Sequence, residues 1–493
     1  MEIIKNNIVD NIDVEPKHLE EIKRVLARTL PYKKVWAYGS RVKWTANERS
    51  DLDLAVFEAT DTQIENAKEA FNESNVPFIV QLMNWQNIPD DFKKNIEEKY
   101  FVLQTEEDWA EFKLSDISDV RDGTHDSPKE KPEGRFLIAS KHIKNGKIDF
   151  SSAYKISEED FEQINKRSKV DKWDILFSMI ETIAETVIVD FEPDFAIKNV
   201  GLFKTGDKNL SKWIYYYLKS TDAKNEIDAC LKGSTQQYIT LGDLRNFPVK
   251  IPPLPEQKAI AEVLTSLDDK IDLLHKQNKT LEQLAETLFR HHFIDNAQDD
   301  WGERPLDKIA DFLNGLACQK YSPKNEIDKL PVLKIKELRG GFGEDCDWVT
   351  TDAPTEYFVK SGDIIFSWSG SLLVKIYSGR NCLLNQHLFK VTSPKYPKWF
   401  IYLWTKNHLE KFIEIAESKA TTMGHIKRSD LSSSMVLVPS DDEIKEMDKI
   451  FTPTLEKIIL NNEQIQNLEK TRDQLLPKLM SGEIRLNQQT NNQ

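Results

Sequence analysis

Residues 249–289 read VKIPPLPEQKAIAEVLTSLDDKIDLLHKQNKTLEQLAETLF, and residues 436–476 read VLVPSDDEIKEMDKIFTPTLEKIILNNEQIQNLEKTRDQLL. A shift of 187 places lays one stretch on the other. It pairs Val249 with Val436, Pro252 with Pro439, Glu256 with Glu443, Lys270 with Lys457, Ile271 with Ile458, Gln277 with Gln464, Leu281 with Leu468 and Leu288 with Leu475. In the first stretch Leu264, Leu267, Ile271, Leu274, Asn278, Leu281 and Leu284 step by three and four, the a/d seam of a coiled coil. Pro255 suits the first helical position, and the pattern runs to about Phe293, a rod of about 58 Å at ~1.5 Å per residue. In the second, Leu455, Ile458, Asn461 or Asn462, Ile465, Leu468, Leu475 and Leu479 keep a similar stripe. Each helix could bury its stripe on its own globule. Two matched stripes, each with a seam asparagine of the kind that sets register, favour pairing with each other, antiparallel, as a spacer.

The sequence upstream of each helix repeats as well. Leu114, Ile117, Asp119 and Gly123 match Leu306, Ile309, Asp311 and Gly315 at 192 places. Asp174-Ile-Leu-Phe-Ser178 matches Asp363-Ile-Ile-Phe-Ser367 at 189; Asn199 and Leu202 match Asn385 and Leu388 at 186; Asp243-Leu244 matches Asp430-Leu431 at 187. A drift of a few residues means small loop insertions within one fold. A period near 190 far exceeds the ~20–50 residues of solenoid units, so this is a duplicated domain followed by a duplicated helix. A pseudo-symmetric molecule suits a two-part target, as dimeric DNA readers suit operators with two half-sites.

Length and composition set the frame. A chain of 493 residues implies about three domains, and 39% hydrophobic content with 10% aromatics builds ordinary cores. No apolar run approaches the ~20 residues that span a bilayer. The opening MEIIKNNIVDNIDVEPKH lacks the basic-then-apolar layout of a signal peptide. Cys230, Cys318, Cys346 and Cys382 show no CxxC spacing, which points to neither a zinc site nor a disulfide framework. A cytoplasmic, reduced protein is expected. The net charge of −14 argues against coating DNA unaided; basic side chains must be locally concentrated, or partners must supply phosphate contacts.

Ile251-Pro-Pro-Leu-Pro-Glu-Gln-Lys258 followed by Ala-Ile-Ala and a long heptad helix resembles the specificity (S) subunit of type I restriction-modification systems. So do the turns WDILFS and GDIIFS, the strand Asn385-Gln386-His387-Leu388-Phe389 and the Gly424-His425-Ile426 motif. The resemblance covers roughly residues 105–484, and the second copy departs from it, with Val438-Pro-Ser-Asp-Asp-Glu443 where PPLxEQ is usual. It implies that each globule is a target recognition domain reading one half of a split DNA sequence. The helices would act as a ruler and dock two modification (methyltransferase) subunits. S-adenosylmethionine and ATP would belong to the modification and restriction (translocase) subunits, and the specificity region would need no cofactor. In residues 105–493 we find no GxxxxGK[ST], no methyl-donor loop with an (N/D)PPY-type motif and no PD-(D/E)xK-like cluster.

Base edges in the major groove are read by Arg, Lys, Asn, Gln and Ser/Thr on exposed elements. In the first copy the candidates are Arg121, Thr124 and His125 in the Gly-hinged run Arg121–Ser127, and Lys141, His142 and Lys144 in the basic run Ser140–Lys147. In the second copy they are Gln319, Lys320 and Tyr321, then Lys336 and Arg339, then His425, Lys427 and Arg428. Taken singly, each of these reads first as a solvated surface residue. Ser234-Thr-Gln-Gln-Tyr238, with Gln236 and Gln237, and Thr421-Thr-Met-Gly-His425 sit at matching places with different chemistry, as specificity loops on a shared scaffold should. Asn385-Gln-His387 reads as structural, since Asn199-Val-Gly201 replaces it in the first copy.

The first hundred residues are separate. A helix is expected over His18–Leu30 and strands at Lys34–Tyr38, Ser50–Phe57 and Pro77–Trp85. Gly39-Ser40, ten residues, then Asp51-Leu-Asp53 resembles the minimal nucleotidyltransferases of the polymerase-β superfamily. The resemblance implies a Gly39-Ser40-Arg41 turn that cradles nucleotide phosphates, with Asp51 and Asp53 on one strand face holding Mg²⁺. A third carboxylate is expected on a neighbouring strand, but Val80-Gln81-Leu82-Met83-Asn84-Trp85 carries amides there. A degenerate domain kept for binding or assembly is the first reading. A nucleotidyltransferase modifying a partner protein through Asp51 and Asp53, with the repeated region as its targeting module, is the second.

The expected fold is therefore α+β and multidomain. Residues 1–104 form a small α/β nucleotidyltransferase-like domain. Residues 105–250 and 301–440 form two pseudo-symmetric α/β recognition domains, separated by long antiparallel coiled-coil helices at 251–300 and 441–484. A disordered tail is expected at 485–493. The expected function is a non-catalytic DNA specificity subunit acting on double-stranded DNA, with modification and restriction subunits as partners and no membrane.

Overall fold

The computed structural model describes residues 8–47, 49–233, 236–343, 345–418 and 424–486. It divides into two compact units, residues 1–266 with 473–493, and residues 267–472. Its content is mixed helix and strand, in keeping with an α+β multidomain chain.

The first unit opens with helix α1 (Pro16–Thr29), which has proline in its first turn and buries Ile22, Val25 and Leu26. Four strands follow, β1 (Val35–Tyr38), β2 (Leu52–Val56), β3 (Val80–Asn84) and β4 (Phe101–Gln104), in the order β3-β2-β1-β4. The strands β1 and β2 run antiparallel, and β2 and β3 run parallel with Asp53 opposite Gln81. The phenol of Tyr32 donates to the carbonyls of Ile251 (3.1 Å) and Pro252 (3.2 Å), tying this domain to the PPLPEQ run.

The first recognition domain has two sheets. Strands 186–188, 175–178, 200–204 and 119–122 form one, and 155–156, 135–139 and 195–198 form the other, with 135–139 and 195–198 parallel. Strand Ala110–Lys113 pairs with Pro248–Ile251 and closes the domain against the next helix. Leu476, Leu479 and Met480 share the core with Trp213, Phe247 and Leu264.

The second unit repeats this plan. Strands 311–314, 388–392, 364–367 and 373–376 reproduce the first sheet in order. The second sheet keeps the parallel pair 329–333 with 382–384 and gains strand 358–359. Strand Gly302–Pro305 pairs with Met435–Val438, as 110–113 does with 248–251. The ladders correct one expected match. Ser178 faces Val200 and Ser367 faces Leu388, so position 200 corresponds to 388 and the Leu202 identity at an offset of 186 falls two residues out of register; Asn199 falls one out, since its N–H bonds Thr124 O as that of Gln386 bonds Leu316 O. The cause is local, because Asn385–His387 is not strand: Asn385 makes an isolated bridge to Leu316 and Gln386-His387 is a turn, so the strand starts only at Leu388.

The long helices are Leu254–Arg290, ending in a π-turn at His291–Asp295, and Asp441–Met480. Within the second unit they pack antiparallel. Ile271 and Leu274 cluster with Ile465 and Leu468, and Asp268 is paired with Arg472 at 2.9 Å. Between them lies a polar layer in which the Asn278 amide donates to Asn462 Oδ1 (2.8 Å) and the Asn461 amide donates to Asn278 Oδ1 (2.8 Å) and Gln277 Oε1 (2.9 Å). The expected seam fails at Leu284, which is 48% exposed; Ala285 and Phe289 take over, because the stripe turns toward the aromatic core around Trp404. Among the described residues no helix is long and apolar enough to cross a membrane.

Candidate nucleic-acid interface

In the first recognition domain the candidate loop leaves strand Asp119–Asp122 through Gly123. A Cβ on Gly123 would stand 2.4 Å from the Ile197 carbonyl oxygen, so only glycine lets the two backbones approach this closely. The loop is then pinned, with Thr124 N–H donating to Ile197 O (3.0 Å) and Asn199 N–H to Thr124 O (3.1 Å). His125 is exposed, and both its ring nitrogens are engaged: Nδ1 lies 2.8 Å from Asn199 Oδ1 and Nε2 lies 3.1 Å from Asp122 Oδ2. The buried Asp122 carboxylate also holds the guanidinium of Arg167, which donates in addition to the carbonyls of Asp122 and Gly123. Thr124, His125, Ser127, Gln163 and Arg167 line one open cavity of about 470 Å³. This is a shaped polar recess with two cationic or donor groups held in fixed geometry.

The other candidates of this copy divide. Arg121 is taken up by Asp119 (2.9 Å from Nε) and by the Arg167 carbonyl (2.9 Å). Asp119 sits below the usual carboxylate range because Arg121 hydrogen-bonds to it. Lys141 and Lys144 are exposed on the short 3₁₀ turn and hairpin at 140–148. His142 is fully buried; its Nδ1 accepts from Ala139 N–H at 2.9 Å, and burial, then Lys141, lower its pKa. It is a core residue and does not reach a groove, because this short turn sends Ser140, His142 and Ile143 inward and leaves Lys141 and Lys144 facing out. Gln236 and Gln237 are exposed; residues 234–235 and 421–423 lie outside the described residues, as do 487–493 of the expected tail. Arg485, also placed in that tail, is ordered in an ion pair with Glu256.

The second domain uses the same geometry with other side chains. A Cβ on Gly315 would stand 2.2 Å from Asn385 O, and Leu316 makes the paired backbone bonds to Leu384 O and Gln386 N that Thr124 makes in the first copy. Gln319 and Lys320 are exposed on the 3₁₀ turn Cys318–Lys320, with Tyr321 half-buried beside them. Lys336 is ion-paired with Asp345, and Arg339 is exposed at the rim of a cavity of about 290 Å³ reaching Gly370 and Gly424. His425 is exposed and lies edge-on to Trp368. Lys427 is exposed at a helix start, whereas Arg428 donates to the Phe312 carbonyl (3.1 Å) and lies over the Phe389 ring, which gives it a scaffold role. Arg167 was missed from sequence; its helix, Glu158–Ser168, is absent from the repeat pattern, and only its position just before the DILFS strand hinted at it.

The N-terminal pocket is built on β1 and β2. Gly39 adopts φ +82°, and a Cβ there would stand 2.3 Å from Asp53 Oδ2, so the Gly-Ser turn lies directly over that carboxylate. Burial, and then repulsion from Asp51, raise the Asp53 pKa. Gln81 donates its amide to Asp51 Oδ2 at 2.6 Å, filling the place of a third carboxylate with a neutral donor. Arg41 is buried. Its guanidinium donates to the carbonyls of Ser50 and Asp13 and lies over Phe78, so it serves the fold and cannot reach a phosphate. The polymerase-β fold implies a nucleotide and Mg²⁺, and this donor set does not fit a two-metal site. Among the described residues no group of three or more His, Cys, Asp or Glu gathers to hold a metal.

The chain is similar to the type I restriction enzyme MjaIX specificity subunit of Methanocaldococcus jannaschii, at 29% identity over 307 residues, covering 57% of this chain and 70% of that one. Its N-terminal part is similar to the probable protein adenylyltransferase MntA of Haemophilus influenzae, at 37% identity over 103 residues, covering 20% of this chain and 90% of that one. Among solved structures, the S subunit of a type I restriction-modification system from M. genitalium aligns with TM-score 0.49 and 18% identity over 75% of this chain and 96% of that chain. The polymerase beta nucleotidyltransferase model matches residues 20–108. The type I restriction modification DNA specificity domain model matches twice, over residues 106–283 and 298–470. With most of its length accounted for by two such domains, the chain belongs to the type I restriction-modification DNA specificity family.

Proposed function

We propose that each recognition domain of this DNA specificity subunit reads one half of a bipartite double-stranded site, and that the paired helices set the spacing and dock two modification subunits. One observation carries this reading: the two domains share strand order and the same glycine-pinned loop, yet present Thr124 and His125 at one loop and Leu316 to Tyr321 at the other. A common scaffold with divergent loop chemistry is what two different half-sites require. To the first reading head we assign His125 and Arg167, which share one cavity, with the exposed Lys141 and Lys144; to the second, Gln319, Lys320, Tyr321, Arg339, His425 and Lys427. With a chain charge of −14, partner subunits supply part of the phosphate contact. No cofactor is assigned to the specificity region; S-adenosylmethionine and ATP belong to the modification and restriction subunits.

The N-terminal domain serves binding and assembly rather than nucleotide transfer, since Gln81 replaces the third carboxylate. The test is a pair of variants in the complex reconstituted with its modification subunits. His125→Ala with Arg167→Ala weakens binding to the cognate DNA and relaxes discrimination at one half-site alone. Asp51→Asn leaves binding and methylation unchanged. Loss of DNA recognition by Asp51→Asn would contradict the division of labour between the domains.

A further inference from the structure

The start of each long helix carries the same Trp–Glu pair, and the two pairs are completed differently. In the first unit Trp109, just before strand 110–113, donates its indole N–H to Glu256 Oε2 (3.1 Å). Arg485 then clasps that carboxylate with Nε to Oε1 (2.6 Å) and NH2 to Oε2 (2.7 Å) and lies over the Trp109 ring. Glu256 is thereby 6% exposed. In the second unit Trp301, just before strand 302–305, donates to Glu443 Oε1 at 3.3 Å. The residue 187 places before Arg485 is Gln298, whose amide turns back to the Asn296 carbonyl (3.2 Å). Glu443 stays exposed, and among the described residues its Oε1 accepts from Trp301 alone.

Gln298 lines an open cavity of about 470 Å³, walled by Phe293, Trp301 and Met447 and rimmed by Asp442, Glu443, Lys445 and Glu446. Asp442 and Glu446 pair with Lys445 and Lys449 along the helix surface, so Glu443 is the carboxylate left to face the cavity. Ser440 N–H and Oγ both donate to its other oxygen, Oε2, and hold it ionised below the usual range. An anion held in place, an indole beside it and an apolar wall make a receptor for a planar cation on an apolar stem, which is arginine.

We propose that this cavity receives an arginine side chain presented by a modification subunit, which completes at Glu443 and Trp301 the clasp that Arg485 completes internally at Glu256 and Trp109. The proposal rests on the reading that modification subunits dock on the helices. The experiment measures the affinity of the full chain for the modification subunit in three forms. Glu443→Gln keeps the helix cap, since glutamine also closes a capping box, but removes the charge. Gln298→Arg supplies an internal arginine that fills the cavity. Both variants are expected to bind about tenfold more weakly, the effect of one charge-assisted contact of ~1.4 kcal/mol. N-acetylarginine amide at millimolar concentration competes with wild type and leaves Gln298→Arg unaffected. Wild type that fails to bind at all would overturn the docking reading itself. Wild type that binds, with both variants binding equally well, would overturn the arginine pocket, as would absence of competition by the amide.

Discussion

The polar layer between the long helices gives a prediction whose sign changes with the number of substitutions. Asn461 is 0% exposed and Asn278 is 7% exposed, and their amides bond each other. Asn278→Leu deletes the acceptor for Asn461 and the donor to Asn462, leaving the Asn461 amide with Gln277 alone. Stranding a buried polar group costs about 1–3 kcal/mol, and the added leucine carbons recover part, for a net loss of about 1–2 kcal/mol. Asn461→Leu strands Asn278 in the same way. The double variant leaves neither amide behind and sets two leucines face to face. It is therefore expected to be at least as stable as wild type, which already carries an unsatisfied Asn461 Oδ1. The coupling in a double-mutant cycle is then about 3 kcal/mol. Urea unfolding of the four proteins, followed at the helix band of circular dichroism, measures it. Additive losses in the double variant would mean the two asparagines do not meet, and would refute the antiparallel register.

Three further outcomes follow from single sites. Gly123→Ala drives a Cβ to 2.4 Å from a backbone oxygen, so the loop must move; we expect a loss of about 1–3 kcal/mol and impaired reading of one half-site, checked by DNA-binding titration and melting. Arg485→Ala leaves the buried Glu256 carboxylate with only the Trp109 indole among the described residues, which costs about 2 kcal/mol and is read as a lower unfolding midpoint. Asp53 has a folded pKa above its unfolded value, so the native state holds its proton longer and stability falls as pH rises through that window. Asp53→Asn is therefore expected to stabilise the N-terminal domain at neutral pH and to flatten its pH dependence above about pH 4; an unchanged pH profile of melting would contradict this.

The duplicated fold was legible because a helical stripe and a strand motif are local patterns, and each was written twice. The loops were harder to read. What Arg41, His142 and Arg428 do depends on backbone partners that residue type does not reveal: Asp13 and Ser50 for Arg41, Ala139 for His142 and the distant Phe312 for Arg428. Residue type marked all three as basic; packing buries Arg41 and His142, and Arg428, although exposed, spends its guanidinium on the Phe312 carbonyl. Arg167 shows the converse, since a helix outside the repeat brings it to His125 through Asp122. The amide at Gln81 was legible in sequence as a departure, and its bond to Asp51 gives that departure a physical form. The seam broke at Leu284, where the helix passes from its partner helix to the aromatic core of the second recognition domain.

Two recognition domains that each read one half of a bipartite site can be exchanged one at a time. Methylome sequencing of a strain co-expressing this chain with its modification subunit, before and after exchanging residues 105–250 for those of another specificity subunit, tests this most directly. Methylation at one bipartite motif is expected, with one half changed by the exchange and the other half and the spacer length retained. No motif-specific methylation from an intact complex, or an exchange that alters both halves, would contradict it.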